Sequence, residues 1–431
     1  MKRKIDNILG DKHKMSTNVK LAVYTIMKNE SYNVEGFAKS LWDNGKPCDY
    51  VCVLDTGSED NSPELLKKAL SDVGFSDEQI IVKSKKYKKF RFDEARNDSL
   101  DIVPKDADIC LSIDLDERMC EDYVSIIKTK MTEAPDIGLL SYKYAWEVDK
   151  QTNQPIKQFD YCKCHLRNGI KWMYPIHEHL DYNKEYMSKY KVNTYYDKTL
   201  VYHYPNLEKG RIDYLSLLLD RYADDNTDLN AVYYIAREYG FRKNWAEALN
   251  WYNKGYVLYM TNEKCRKEDP RGITYIHWNM SQAYLALGLT KDAEETLEKA
   301  VKMMPCQTNF MCLAELYLAE NKLDDALSTV EYCKLHNFSK DKDQDFRLET
   351  SYYRDWMYYF IKAAVFFKKG FIDLSYAYYA LAFNDIKTVD DENYAYGNKF
   401  YNYYVETYNA IKAKNPNANI IQVPERFLEK K

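Results

Sequence analysis

The sequence predicts two folds in one chain: an α/β domain with a largely parallel sheet, then an all-α domain of paired helices. Three observations carry this. Between Leu21 and about Pro205, short apolar runs alternate with amphipathic segments. Beyond Pro205 the strand signals stop, and small and aromatic residues recur on a regular grid. A chain of 431 residues, 45% of them hydrophobic, can fill more than one core.

The first strand is expected at Leu21-Ala22-Val23-Tyr24-Thr25-Ile26-Met27 and the second at Tyr50-Val51-Cys52-Val53-Leu54. Gln79 to Val82 and Ile109 to Ile113 repeat the pattern. Near-continuous apolarity marks strands covered on both sheet faces. Helices are expected between them, over Asn33 to Trp42, Ser62 to Val73 and Asp93 to Val103, with Pro63 placed where a first helical turn tolerates it. Ligands of such a sheet sit beyond the carboxyl ends of its strands. Polar clusters stand at three of those ends: Lys28-Asn29-Glu30, Asp55 to Asp60, and Asp114-Leu115-Asp116-Glu117.

In the second half, Ala248, Ala293, Ala326 and Ser375 each follow another small residue by twelve positions, namely Ala236, Ser281, Ala314 and Ala363. An aromatic stands three residues after each earlier member: Tyr239, Tyr284, Tyr317 and Phe366. Tyr252, Leu297, Val330 and Tyr379 lie four beyond the later one. This grid resembles the tetratricopeptide repeat, a helix-turn-helix unit of about 34 residues. Its best unit runs from about Thr274 to Gln307, with Gly288 at the turn, Ala300 at the next small position and Pro305 at the end. The charged stretch Thr261 to Gly272 supplies the insertion between the first two units. The expected divisions are a flexible tail over residues 1–19, the α/β domain over 20–205 and the helical domain over 206–431.

Lys plus Arg number 62 against 66 Asp plus Glu, without long blocks of one sign, so no nucleic-acid footprint is expected. No run approaches the roughly 20 apolar residues of a membrane span. The basic start Met1-Lys2-Arg3-Lys4 leads into polar sequence instead of an apolar signal core, so a cytoplasmic chain with mostly free thiols among its ten cysteines is expected. Cys162-Lys163-Cys164 lacks the second pair that a zinc site needs. The 41 tyrosines fall largely at helical spacing in the second half and read as core.

A D-x-D at the end of a buried strand has a chemical use. If the backbone stays extended, Asp114 and Asp116 share a face and present two carboxylates to one ligand. Hard oxygen ligands suit Mg²⁺ or Mn²⁺, which can bridge protein carboxylates to a diphosphate.

Four segments in order, Tyr24 to Glu30, Val53 to Asp60, Phe92 to Asn97 and Asp114 to Glu117, resemble the family 2 glycosyltransferases of GT-A fold. Leu166-Arg167-Asn168, Trp172 and Ile176-His177-Glu178 resemble the acceptor-side segment of the same group, so the resemblance spans about Leu21 to Pro205. It implies that Thr25 and Glu30 lie beside the base and ribose, that Asp55 hydrogen-bonds the base, and that Arg96 approaches the base or diphosphate. It implies further that Asp114 binds ribose or assists the metal, that Asp116 is the main metal ligand, and that His177 completes the coordination. Glu178 is the first candidate for the base that takes the acceptor proton.

Each residue has a plainer role open to it. Asp55 and Ser58 could cap a helix, Arg96 could pair with Asp93, Glu178 with Arg167, and His177 or His203 could be packed structural histidines. Glu117 is either a second layer behind the site or an acid at a helix start. His177-Glu178-His179 has the wrong spacing for H-E-x-x-H, which excludes a zinc-protease reading.

The resemblance implies inverting transfer of a hexosyl unit from a nucleotide-diphosphate sugar, a UDP-sugar in the first instance, to a saccharide or peptide acceptor, with Mn²⁺ or Mg²⁺. Enzymes that pair this domain with helical repeats include ones that glycosylate peptides. Repeats offer a surface for a polypeptide, a protein partner or a second copy of the chain. The rival from another class is a repeat-based scaffold whose α/β domain is catalytically silent. A glycoside hydrolase, with carboxylates held about 5 to 10 Å apart across the sugar, fits a one-strand D-x-D less well.

Overall fold

The computed structural model describes residues 19–149, 152–182, 184–206, 213–270, 272–336 and 355–387, with 407, 409–413 and 416. The expected N-terminal tail lies almost wholly outside them. The chain divides into two compact units, residues 1–213 and 214–431.

The first unit runs β1 (Leu21–Met27), α1 (Val34–Leu41), β2 (Tyr50–Asp55), α2 (Ser62–Val73), β3 (Ile80–Ser84), α3 (Phe92–Asp101) and β4 (Ile109–Ser112). It continues with β5 (Glu117–Met119), α4 (Tyr123–Thr132), β6 (Ile137–Val148), β7 (Pro155–Leu166), β8 (Ile170–Met173), β9 (His179–Tyr182), α5 (Lys184–Lys189) and β10 (Lys191–His203). Eight strands form one sheet in the order β3-β2-β1-β4-β7-β6-β10-β5, and β8 pairs with β9 in a separate hairpin. The four strands expected from the apolar runs are mutually parallel. The other half is mixed: β7 runs antiparallel to both β4 and β6, β10 is parallel to β6, and β5 is antiparallel to β10.

Alternation along the parallel strands splits the core in two. Leu21, Val23, Val51, Val53, Ile109 and Leu111 face one layer, where Phe37 and Leu41 of α1, Leu66 and Leu70 of α2, and Ile127 and Met131 of α4 cover them. Ala22, Tyr24, Cys52 and Cys110 face the other, against Leu100 of α3, Trp172 of β8 and Leu180 of β9. Full burial of each such aliphatic side chain contributes about 1.5–3 kcal/mol.

The second unit contains α6 (Tyr214–Asp224), α7 (Leu229–Phe241), α8 (Trp245–Thr261), α9 (Glu263–Glu268), α10 (Gly272–Ala286), α11 (Thr290–Met303), α12 (Gln307–Ala319), α13 (Leu323–Leu335), α14 (Asp355–Lys368) and α15 (Ile372–Lys387). The small-residue grid falls on four hairpins, α7/α8, α10/α11, α12/α13 and α14/α15, and all eight of its small residues are fully buried. Their size lets paired helices approach closely. Each hairpin turns through three residues, and the middle one, Lys243, Gly288, Asn321 or Gly370, has a positive φ of 57°, 75°, 61° or 82°. The helix α9 occupies the inserted stretch between the first two hairpins. No helix among the described residues is long and apolar enough to cross a membrane.

Candidate functional site

Two loops close over the carboxyl ends of β1 and β2. The Asn29 N–H donates to Ser58 Oγ at 2.9 Å, Glu59 N–H to Asn29 Oδ1 at 2.7 Å, and Glu30 N–H to Ser62 Oγ at 2.7 Å. Asp55 ends β2 almost fully buried, and its Oδ1 accepts from Ser58 N–H at 2.9 Å, which shapes this loop instead of capping α2. Glu30 accepts from the Asn33 side chain at 2.8 Å. Thr25 is 1% exposed, and its hydroxyl donates to the Ile26 carbonyl. It therefore lies inside the sheet layer, near the carboxyl end of β1.

The acids after β4 do not share an extended strand. β4 stops at Ser112, and Asp114 to Glu117 form a turn closed by Glu117 N–H donating to the Asp114 carbonyl at 2.9 Å. The turn sends the two aspartates to different partners. Asp114 receives a fork from Arg96, Nη1 to Oδ1 at 2.8 Å and Nη2 to Oδ2 at 3.1 Å. Asp116 Oδ2 lies 3.3 Å from His203 Nε2. The histidine beside Asp116 is thus His203, at the end of β10, and not His177. His177 is exposed in the loop between β8 and β9 with φ of 50°. Among the described residues no three His, Cys, Asp or Glu side chains stand together as a ready-made metal site, so Asp114, Asp116 and His177 do not form one.

Arg96 is the hub. Its side chain, 5% exposed, also donates from Nε to Glu178 Oε1 at 2.6 Å and lies over the Trp172 ring, 5.1 Å from its centre. Burial opposes its charge, but Asp114 and Glu178 outweigh that and hold the guanidinium firmly protonated. Asp93 pairs with Arg91, and Arg167 donates to the Val103 and Pro104 carbonyls, so neither takes part. Asn97, next along α3, clips β8 by exchanging hydrogen bonds with the Trp172 backbone, both at 2.9 Å, and Phe92 N–H donates to the Pro175 carbonyl. These bonds seat the Glu178 loop against α3.

Burial works against the Asp114 charge too, yet Arg96 and Lys163 hold its carboxyl well below the usual range. Lys163 was visible in the sequence only as the middle of C-x-C. Its Nζ, on a buried side chain, lies 3.9 Å from Asp114 Oδ2 and 4.6 Å from the Tyr161 ring centre. Burial alone would lower its pKa, but Tyr161, Asp114 and Glu117 raise it. A lysine inside a half-buried strand is rare unless paired, and that was the available signal. Glu117 stands behind the turn: Asp114 N–H donates to Oε2 and Tyr144 Oη to Oε1, both at 2.8 Å, while burial pushes its pKa up. His203 Nδ1–H donates at 3.1 Å to the Trp146 carbonyl, which can only accept, and this leaves Nε2 toward Asp116. Burial opposes its protonation, but Asp116 raises its pKa overall.

Beneath Trp172 runs a buried polar chain. Trp172 Nε1–H donates to Tyr24 Oη at 2.9 Å, and Tyr24 Oη lies 2.8 Å from His165 Nε2. His165 Nδ1 lies 2.8 Å from the Leu166 carbonyl, which can only accept, so Nδ1 carries the proton and Nε2 accepts from Tyr24. Burial lowers the His165 pKa to about 4 and keeps the ring neutral.

No protein-family model matches the chain, and no curated protein matches it in sequence. Among solved structures, residues 1–349 of TarS from S. aureus are 12% identical at a TM-score of 0.33, over 68% of this chain and 90% of that one. YrrB, a TPR protein with an unusual peptide-binding site, is 14% identical at 0.30, over 49% of this chain and 95% of that one. MamA from Desulfovibrio magneticus RS-1 is 12% identical at 0.30, over 41% of this chain and 86% of that one. Likenesses of this size carry no argument about function.

Proposed function

We propose that the α/β unit is a glycosyltransferase of GT-A type, moving a hexosyl unit from a UDP-sugar to an acceptor with inversion. The single observation behind this reading is the gathering of Asp55, the Arg96–Asp114–Glu178 network and the Asp116–His203 pair at the carboxyl ends of adjoining strands. In an open α/β sheet that is where a nucleotide belongs. Two carboxylates of separate function also suit a diphosphate donor better than a hydrolase pair facing across a sugar.

In this reading the stapled loops after β1 and β2 take the nucleoside, with Asp55 toward the base. Asp114, fixed by the Arg96 fork, is oriented to the ribose. Asp116 and His203 fit one Mg²⁺ or Mn²⁺, because such ions accept one or two protein ligands and complete their shell with phosphate and water. A bound ion would supply charge neutralisation for the departing diphosphate. Asp114 fits that role poorly, since both its oxygens already accept from Arg96. The acceptor hydroxyl attacks the anomeric carbon opposite the leaving group, the bond to the diphosphate breaks with its electrons, and the acceptor proton passes to Glu178. Arg96 keeps Glu178 in place and retains Asp114 as counter-charge once Glu178 is neutral.

The test is donor hydrolysis across UDP- and GDP-sugars with and without Mn²⁺. Asp116→Ala is expected to lower the rate about 10²–10³-fold, the scale of losing one stabiliser of developing charge. Activity that ignores Mn²⁺, or an unimpaired variant, removes the reading. The scaffold rival draws on the same Arg96 fork, which leaves Asp114 already satisfied. Absence of hydrolysis and of nucleoside-diphosphate binding would favour it.

A further inference from the structure

The β6–β7 hairpin carries a row of rings that the transfer chemistry does not use. Trp146, 51% exposed, stacks on His203 with ring centres 4.6 Å apart and planes at 22°. Phe159, 38% exposed, packs 5.5 Å from Tyr161, and both rings lie 5.1 Å from the buried Tyr144. The row is tied to both acids of the turn: through His203 to Asp116, and through Lys163, which sits over Tyr161, to Asp114.

We propose that Trp146, Phe159 and Tyr161 form a stacking platform for a saccharide acceptor, held beside the Asp114 and Asp116 turn. This rests on the glycosyltransferase reading and names the acceptor class for it. Three observations favour a sugar. First, the electron-rich ring faces meet the weakly positive C–H face of a pyranose, while the exposed Glu147 and Lys157 offer polar partners for hydroxyls around the rim. Secondly, the patch is small. An aromatic side chain buries about 150–250 Å², so three partly covered rings fall short of the roughly 800 Å² per partner of a stable protein interface, and they match one or two sugar rings. Thirdly, the platform lies on the side of β4 away from Asp55. In the order β2-β1-β4-β7-β6 three spacings separate the Asp55 strand from that of Phe159 and Tyr161 and four from that of Trp146, about 14 to 19 Å, so a nucleoside at one end leaves the other for the acceptor. Stacking on His203 also holds the Trp146 indole in place before any ligand arrives, which reduces the entropy lost on binding.

Calorimetric titration of the full chain with cello-, chito-, malto- and mannopentaose, and separately with UDP plus Mn²⁺, tests this. At least one oligosaccharide is expected to bind. Trp146→Ala and Phe159→Ala should each weaken it about tenfold, and Trp146→Phe should retain most of the affinity. UDP binding should be unchanged in all three variants, which also reports that they fold. Binding of no oligosaccharide, or binding untouched by both alanine substitutions, overturns the proposal. So does an unglycosylated peptide pool that binds the wild type and is lost with the same substitutions. A wild type that binds an oligosaccharide but not UDP would count against the nucleotide-sugar reading and leave the platform standing, with far-UV circular dichroism then reporting that the variants fold.

Discussion

At the strand ends of the α/β unit, Arg96, Lys163, Asp114, Glu117 and Glu178 stand in one network of charges, and most of their side chains are buried. The helical unit sets its hairpins with eight small side chains, and the two serines among them satisfy their hydroxyls on helix carbonyls. The first arrangement is expensive, because ions lose hydration that their pairing only partly restores. The second consists of shape and backbone geometry, and each member acts almost alone. A network of paired ions fails when one member goes, whereas a hairpin turn absorbs a change locally.

The sharpest way to break this contrast is Arg96→Met, which keeps the stem and removes the charge. It strands Asp114 and Glu178, and the α/β unit should lose about 3–5 kcal/mol in urea unfolding. A loss below about 1 kcal/mol would mean that the network is solvated and the contrast is false.

The second prediction uses His165. Its folded pKa is about 4 against an ordinary 6.5, so the unfolded chain binds more protons between those values. Stability is fully present above pH 6.5 and falls as pH drops toward 4, by about 3 kcal/mol from this group. Acid titration of unfolding should show that slope in the wild type and a shallower one in His165→Gln. His277 offers the matching measurement in the helical unit, since burial lowers its pKa to about 4 as well. Equal slopes in His165→Gln and wild type would remove His165 from the account.

The smallest effect lies in the turns. Gly288 has φ of 75° and nothing within 4 Å of an added Cβ, so Gly288→Ala should cost about 1 kcal/mol through backbone strain alone. Lys243 holds the equivalent position with a side chain, and Lys243→Gly should gain up to about 1 kcal/mol. Thermal unfolding that moves the same way for both would show that the turns are not equivalent.

Much of the architecture was legible because it rests on periodicity. The four parallel strands announced themselves by continuous apolar runs, and the helical hairpins by the twelve-residue spacing of Ala236 with Ala248 and its counterparts. The strands β5 to β10 were not assigned. In β7 the exposed residues Ile156 to Asp160 blur any alternation, and register shifts interrupt β6 and β10. At the site, sequence order singled out Asp55, Arg96, Asp114, Asp116 and Glu178, but the pairings among them were open.

By itself the sequence determined which segments are strands covered on both faces, which small residues pack between helices, and which polar residues end a strand. These depend on neighbours a few positions away. Only the tertiary structure decided that Asp114 faces Arg96, that Asp116 faces His203, and that Lys163 comes from a distant hairpin to join them. The turn after Ser112 rotates the two aspartates apart, so D-x-D spacing could not place them. The partners of a buried charge are chosen by which strands lie side by side, and that order, β4 beside β7 and β10 beside β6, is a property of the folded sheet.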